Sequence, residues 1–237
     1  MKTRKSLPPI WRVLTLTLAI SVMHAHADQW GPPRKEHWST NERFVLKVQY
    51  PSPGNGLTLW ERTEDGLRQH WRRSGIHRVQ PPLRAYVTND GKYVVLRDVY
   101  HNIGYGEVIV ILGEKGETLG SYQLRDFLSQ AEIGAARRTV SSLWWNENAW
   151  YSLINGERQF ALVTQHGTIR CFDLSTGKIE DLNDKALGQI ICLVRKDALA
   201  WVRLRSKNRY RGITLLGALG VEDAAPIAKR ILEEEID

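Results

Sequence analysis

Long apolar runs are almost missing from this 237-residue chain. One stands at the start, where Val13 to Met23 follows the positive opening of Lys2, Arg4 and Lys5. It is shorter than the roughly 20 residues a membrane-spanning helix needs. Ala25, His26 and Ala27 come next, with small residues spaced for signal peptidase, and then the polar Asp28. The pattern reads as a secretory signal peptide over residues 1–27, so the mature chain is expected to be secreted or periplasmic. No later stretch is apolar enough to cross a membrane, and no span is expected after cleavage.

Cysteine is scarce as well. Cys171 and Cys192 are the two in the sequence. Neither follows the apolar run, which excludes a lipid-anchored lipoprotein. No Cys or His pair has metal-ligand spacing, so no metal is expected. Two cysteines in an exported chain leave two readings open. One is a Cys171–Cys192 bridge, whose loop of about 20 residues would stabilise by roughly 3 kcal/mol in the chain-entropy model. The other is two buried free thiols.

Catalytic signatures are missing too. Ser141 and Ser142 lack a G-x-S-x-G elbow. His37, His70, His77 and His166 are isolated in sequence, no carboxylate pair is marked for acid and base roles, and no cofactor motif is present. An excess of one charge is also lacking. The formal charge is +7, but the leader holds Lys2, Arg4, Lys5 and Arg12 and no acid, which leaves +3 on the mature chain. Nucleic acid is not an expected partner. The basic run of Arg68, Arg72 and Arg73 reads as a solvated strand or loop.

What is present is mostly β signal. Phe44, Leu46, Val48 and Tyr50 alternate with Val45, Lys47 and Gln49, the period of a strand. Residues 57–62 and 67–71 read as two more strands about a Glu64-Asp65-Gly66 turn. Residues 84–88, 93–96, 107–112 and 118–122 form a second group, with Asn89-Asp90-Gly91 as a hairpin turn. Residues 124–128 read as one helical turn. Residues 141–145, 150–153, 159–164 and 167–174 read as a third group, and 178–181 adds one more strand. Residues 28–41, with Pro32 and Pro33, read as a loop or edge segment. Near Leu182 the period changes. Residues 185–205, 213–219 and 224–232 read as helices, the last tolerating Pro226 in its first turn.

The expected architecture is mainly β with a C-terminal α segment: residues 28–181 as an antiparallel, propeller-like domain and 182–237 as a small helical, HEAT-like domain. The length allows three or four blade-like sheets of about 40 to 45 residues. A ring closed by this chain alone would be unusually small.

Two resemblances bear on this. Gly212-Ile213-Thr214-Leu215-Leu216-Gly217-Ala218-Leu219-Gly220, followed by 224–232 from Ala224 through Pro226 to Leu232, resembles a HEAT-like helical repeat. The resemblance implies an apolar seam of Leu215, Leu216, Leu219, Ile227 and Ile231. One such repeat cannot bury its own face and must dock elsewhere. Residues 84–122 resemble a blade of secreted bacterial β-propeller-like proteins of unassigned function. The likeness is carried by the Asp90-Gly91 turn, Tyr93-Val94-Val95, Asp98, His101, Gly104-Tyr105-Gly106 and Val108-Ile109-Val110-Ile111. Tyr86-Val87-Thr88-Asn89 is similar to the repeat of YVTN-type β-propellers.

One candidate site emerges, the polar and aromatic stretch from Arg97 to Gly106, read as a long loop between two strong strands. Asp98 would orient the imidazole of His101, Tyr100 and Tyr105 would stack on a planar or sugar-like ligand, and Asn102 lies between them. The same residues also fit a loop whose polar groups bond its own backbone. Trp144, Trp145 and Trp150 form an aromatic patch that suits core packing more than a carbohydrate platform. Two functional readings stay open. The first is an exported, non-enzymatic binding or scaffolding protein with a protein or glycan partner. The second is a hydrolase or lyase acting on an extracellular polymer through Asp98 and His101.

Overall fold

The computed structural model describes residues 32–50, 56–74, 81–203 and 208–220. Three antiparallel sheets form in chain order, each a meander of neighbouring strands. Sheet 1 holds β1 (Glu36–Trp38), β2 (Phe44–Gln49), β3 (Gly56–Thr63) and β4 (Gly66–Ser74). Sheet 2 holds β5 (Pro82–Val87), β6 (Val94–Val99), β7 (Ile109–Leu112) and β8 (Thr118–Tyr122). A 3₁₀ turn (Leu124–Asp126), a short helix α1 (Gln130–Ala135) and a two-stranded pair, β9 (Arg137–Arg138) with β10 (Leu143–Trp144), connect to sheet 3. Sheet 3 holds β11 (Trp150–Ile154), β12 (Gln159–Val163) and β13 (Ile169–Asp173). Two helices follow, α2 (Asp184–Arg203) and α3 (Arg209–Ala218).

The period of two decides how the sheets stack, because successive side chains of a strand point to opposite faces. In sheet 2, Val94, Leu96, Val110 and Leu112 face Leu46, Leu57 and Leu59 of sheet 1. The alternate residues Val95, Ile109 and Ile111 face Phe160, Leu162 and Phe172 of sheet 3. Sheet 3 repeats the logic. Ala161, Val163 and Cys171 turn away from sheet 2 and meet the helices. Strands buried on both faces therefore read as near-continuous apolar runs. Truncating Phe160, fully buried in the central layer, should cost about 3–5 kcal/mol.

The helices cover the free face of sheet 3. Ile190, Val194, Ala198 and Val202 recur every four residues along α2 and are buried, the stripe of a helix packed on one side. Leu215 and Leu216 of α3 join the same core. Gly212 makes the crossing of the two helices possible, since a Cβ there would stand 2.7 Å from the Ala198 carbonyl oxygen. Among the described residues no sheet follows β13 to close a ring, and no helix is long and apolar enough to cross a membrane.

Several expectations need correction. Of the two readings of 28–41, the described part takes the edge one: β1 is the edge strand of sheet 1, with Glu36 and Trp38 facing out and His37 turned inward. The strand expected over 178–181 is a single bridge, Phe172 to Ile179. Cys171 and Cys192 are both free thiols. Cys171 faces the helix core, whereas Cys192 lies on the exposed side of α2, between the inward Ile190 and Val194. The two therefore point to different environments, and burial pushes the Cys171 thiol up to about 12. The helix expected over 224–232, with Ile227 and Ile231, lies outside the described residues.

Candidate functional site

The stretch from Arg97 to Gly106 is not all loop. Strand β6 runs to Val99, so Arg97 and Asp98 are strand residues. Asp98 sits at φ +51 and His101 at φ +69, a region that costs a non-glycine residue on the order of 1 kcal/mol or more. The Asp98 carboxylate holds that conformation in place. Its Oδ1 accepts from Trp145 Nε1 at 2.7 Å and from the Gly104 amide at 3.2 Å, and its Oδ2 accepts from Asn146 Nδ2 at 2.6 Å. Burial pushes its proton affinity up, while Arg97, Trp145, Gly104 and Asn146 pull it back.

From this stretch Asp98, Asn102 and Tyr105 reach one cleft of about 640 Å³ between sheets 1 and 2, whose walls include Leu57, Leu96 and Leu112. Tyr105 is partly exposed there. Tyr100 is buried, and its ring meets the His101 ring edge-on at 4.1 Å between centroids. Trp145 and Trp150 are buried core residues rather than a platform.

A second cleft, of about 540 Å³, is more demanding chemically. It opens where β1, β5, β6, β11 and the two helices meet, and Arg34, Arg84, Arg97 and Arg211 line it. Arg84 and Arg97 are direct cross-strand partners of β5 and β6, a pairing of like charges that weakens a sheet. The guanidinium of Arg97 lies 4.2 Å from the Tyr151 ring centroid, and that of Arg211 lies 4.6 Å from the Trp201 ring. These cation–π contacts hold the planes of both side chains; Arg211 Nη2 also donates to the Ala149 carbonyl, and Arg97 Nε lies 3.7 Å from Asp98 Oδ2.

Four buried polar atoms around this cleft have no hydrogen-bond partner among the described residues: Arg97 Nε, Arg211 Nε, Tyr151 Oη and His37 Nε2. The His37 tautomer follows from its other nitrogen. Nδ1 accepts the Ala85 amide at 3.2 Å, so in the neutral ring the proton sits on Nε2. Burial, then Arg34 and Arg84, lower His37 to about 4, which keeps the ring neutral. All four atoms can therefore donate. Leaving a buried donor unpaired costs about 1–3 kcal/mol.

The cleft also lacks neutralising acid. Of its carboxylates, Glu36 pairs with Lys47 at 3.5 Å and Asp197 accepts from Trp150 Nε1 at 2.9 Å. Arg97 has Asp98 at 3.7 Å, while no carboxylate of the described residues lies within ion-pair distance of Arg34, Arg84 or Arg211. Burial first, then neighbouring arginines, lowers the proton affinity of both Arg84 and Arg211. Arginine nonetheless stays charged in any aqueous condition of interest. The arrangement can bind an acceptor-rich anion. Among the described residues no cluster of His, Cys, Asp and Glu could hold a metal ion.

Sequence reasoning missed this cleft because its residues are spread from position 34 to position 211. One signal was readable. Arg97 and Asp98 interrupt a strand whose other residues are apolar, and Arg97 has the parity of the inward Val95.

No protein-family model matches this chain, and no curated protein is similar to it. Among solved structures, the chain is similar to the periplasmic gluconolactonase of Pseudomonas aeruginosa, with 12% identity over 64% of this chain and 39% of that one, at a TM-score of 0.33. It is similar to a europium-containing methanol dehydrogenase at 12% identity, over 57% of this chain and 22% of that one, with a TM-score of 0.29. A third likeness is to Hsv2 of Kluyvelomyces marxianus, at 9% identity over 61% and 62% of the two chains, with a TM-score of 0.20. This chain thus spans less than two thirds of the length of each.

Proposed function

We propose that this is an exported binding protein of propeller-like build whose ligand carries an oxyanion, held in the cleft of Arg34, Arg84, Arg97 and Arg211. One observation carries the reading: four residues lining a cationic cleft each keep a buried donor without a hydrogen-bond partner among the described residues, Arg97 Nε, Arg211 Nε, Tyr151 Oη and His37 Nε2, and Arg97 Nε has only Asp98 Oδ2 at 3.7 Å. A carboxylate, sulfate or phosphate is acceptor-only and would satisfy them together. Asp98, on this reading, is a brace that fixes Arg97 and the turn to Gly106, and binding replaces catalysis as the role of the site.

The test is a thermal-unfolding titration with sulfate over the millimolar range, against sodium chloride of equal ionic strength. Saturable stabilisation is expected, reaching about 2.7 kcal/mol at a hundredfold excess over Kd, and it should weaken in Arg84→Gln. A response identical to chloride in both proteins would defeat the reading. Hydrolysis of a glycan, ester or peptide that falls about a hundredfold in His101→Gln would instead favour the catalytic reading.

A further inference from the structure

The donors of the cleft come from four different elements. His37 stands on sheet 1, Arg97 on sheet 2, Tyr151 on sheet 3 and Arg211 on α3. A carboxylate takes its strong hydrogen bonds close to one plane. A phosphoryl group offers three strong acceptor oxygens about a tetrahedral centre, which suits donors converging from several walls. Charge points the same way. With their ion-pair partners counted, four guanidiniums and Lys47 stand against the three carboxylates Glu36, Asp197 and Asp98, a surplus of two positive charges. A phosphomonoester carries about −1.5 to −2 at neutral pH, whereas a carboxylate or a phosphodiester carries a single charge.

We infer that the cleft recognises a dianionic phosphoryl group, either a phosphomonoester or free phosphate. This rests on the oxyanion reading above and narrows it. The phosphoryl oxygens take the Nε–H groups of Arg97 and Arg211, the Tyr151 hydroxyl and the His37 Nε2–H. Arg34 and Arg84 add charge from the more exposed wall, and the cleft's 540 Å³ leaves space beyond the phosphoryl group for an organic remainder.

Calorimetric titration of the full chain at fixed ionic strength tests this with four probes: inorganic phosphate, glucose 6-phosphate, dimethyl phosphate and acetate. The first two should bind at least about tenfold tighter than the last two, the scale of one charge-assisted hydrogen bond. Whichever of the first two binds tighter identifies the source of the phosphoryl group. Dimethyl phosphate or acetate binding equally well would overturn the dianion while leaving the oxyanion reading standing. If none of the four binds and sulfate gives no stabilisation, both fall. Arg97→Gln should weaken phosphate binding roughly 10- to 100-fold. Because Arg97 is buried, that variant can fail to fold, so the exposed Arg84→Gln repeats the test. It should bind several-fold more weakly while unfolding at or above the wild-type midpoint, because it removes a like-charge cross-strand pair, and Arg138→Gln, on β9 away from the cleft, should bind like wild type. Unchanged affinity in a folded Arg84→Gln would contradict the inference.

Discussion

Two cation clusters in this molecule differ in one respect, the acid at their centre. At one end of sheet 1, Arg43, Arg68 and His70 all converge on Glu61, at 2.6, 2.5 and 3.1 Å. Hydrogen bonds from Arg43, then Arg68 and His70, hold that carboxyl down at about 2. At the meeting of the sheets and helices, Arg34, Arg84, Arg97 and Arg211 line one cleft, and the acid paired with them, Asp98 at 3.7 Å from Arg97, stands behind it. A cluster with its acid inside is complete and contributes to the fold. A cluster with a single acid behind it keeps unmatched positive charge, and on the proposed reading the unmatched donors mark where an outside anion would sit.

The comparison can be broken in several places. The largest effect is expected at Asp98, the one acid behind the cleft. Asp98→Ala removes the partner of Trp145, Asn146 and Gly104 and leaves Arg97 buried without its carboxylate, so denaturant unfolding should show a loss of about 3–5 kcal/mol. A loss under about 1 kcal/mol would show that Asp98 braces little.

His37 gives the next effect. Its folded pKa, near 4, lies below the ordinary value of 6.5. Between those values the unfolded chain binds a proton that the folded chain does not. Stability should therefore fall as pH drops from about 6.5 to 4, by up to roughly 3 kcal/mol. His37→Gln should flatten that slope. Saturating phosphate should flatten it too, because a bound anion favours the charged imidazole.

Glu61 behaves in the opposite sense. Its lowered pKa supplies stability that is present above the ordinary carboxylate value and lost as pH falls toward 2. With partly exposed arginines as partners, Glu61→Gln should cost only about 1–2 kcal/mol. The same change should leave phosphate affinity untouched, and a loss of affinity would link two clusters that the account treats as separate. Cys192 closes the series. Cys192→Ser, on the exposed side of α2, should shift stability by less than about 0.5 kcal/mol. In the native wild type one thiol should label rapidly at Cys192, with Cys171 reacting on unfolding.

Much of the fold was legible because one physical rule, the period of two, governs it. The alternating residues from Phe44 form β2, Thr118–Tyr122 stands where the turn before it put a return strand, and the near-continuous run ending at Leu112 proved to be a strand buried on both faces. The apolar residues Ile190, Val194 and Val202, at three- and four-residue steps with their neighbours, made α2 equally readable. Elements too short to show a period were the hardest to read: β9, of two residues, escaped, β1, of three, was read only as a loop or edge segment, and β10 lies inside the strand expected over 141–145 but pairs with β9 rather than with the third sheet. Helix α1 was signalled by Ser129 and Glu132, whose side chains cap each other's backbone amides, but six residues were too few to show an apolar stripe. For the site, sequence proximity favoured Asp98 with His101. The fold instead gave Asp98 to Trp145 and Asn146, and assembled the arginine cleft from segments far apart in the chain. Such convergence leaves almost no local pattern to read.

The most direct measurement is a crystal structure of the protein grown with glucose 6-phosphate. A tetrahedral anion is expected in the cleft, within hydrogen-bond distance of Arg97 Nε, Arg211 Nε, Tyr151 Oη and His37 Nε2. A cleft holding water alone, with the four donors paired to that water and the phosphate bound elsewhere, would contradict it.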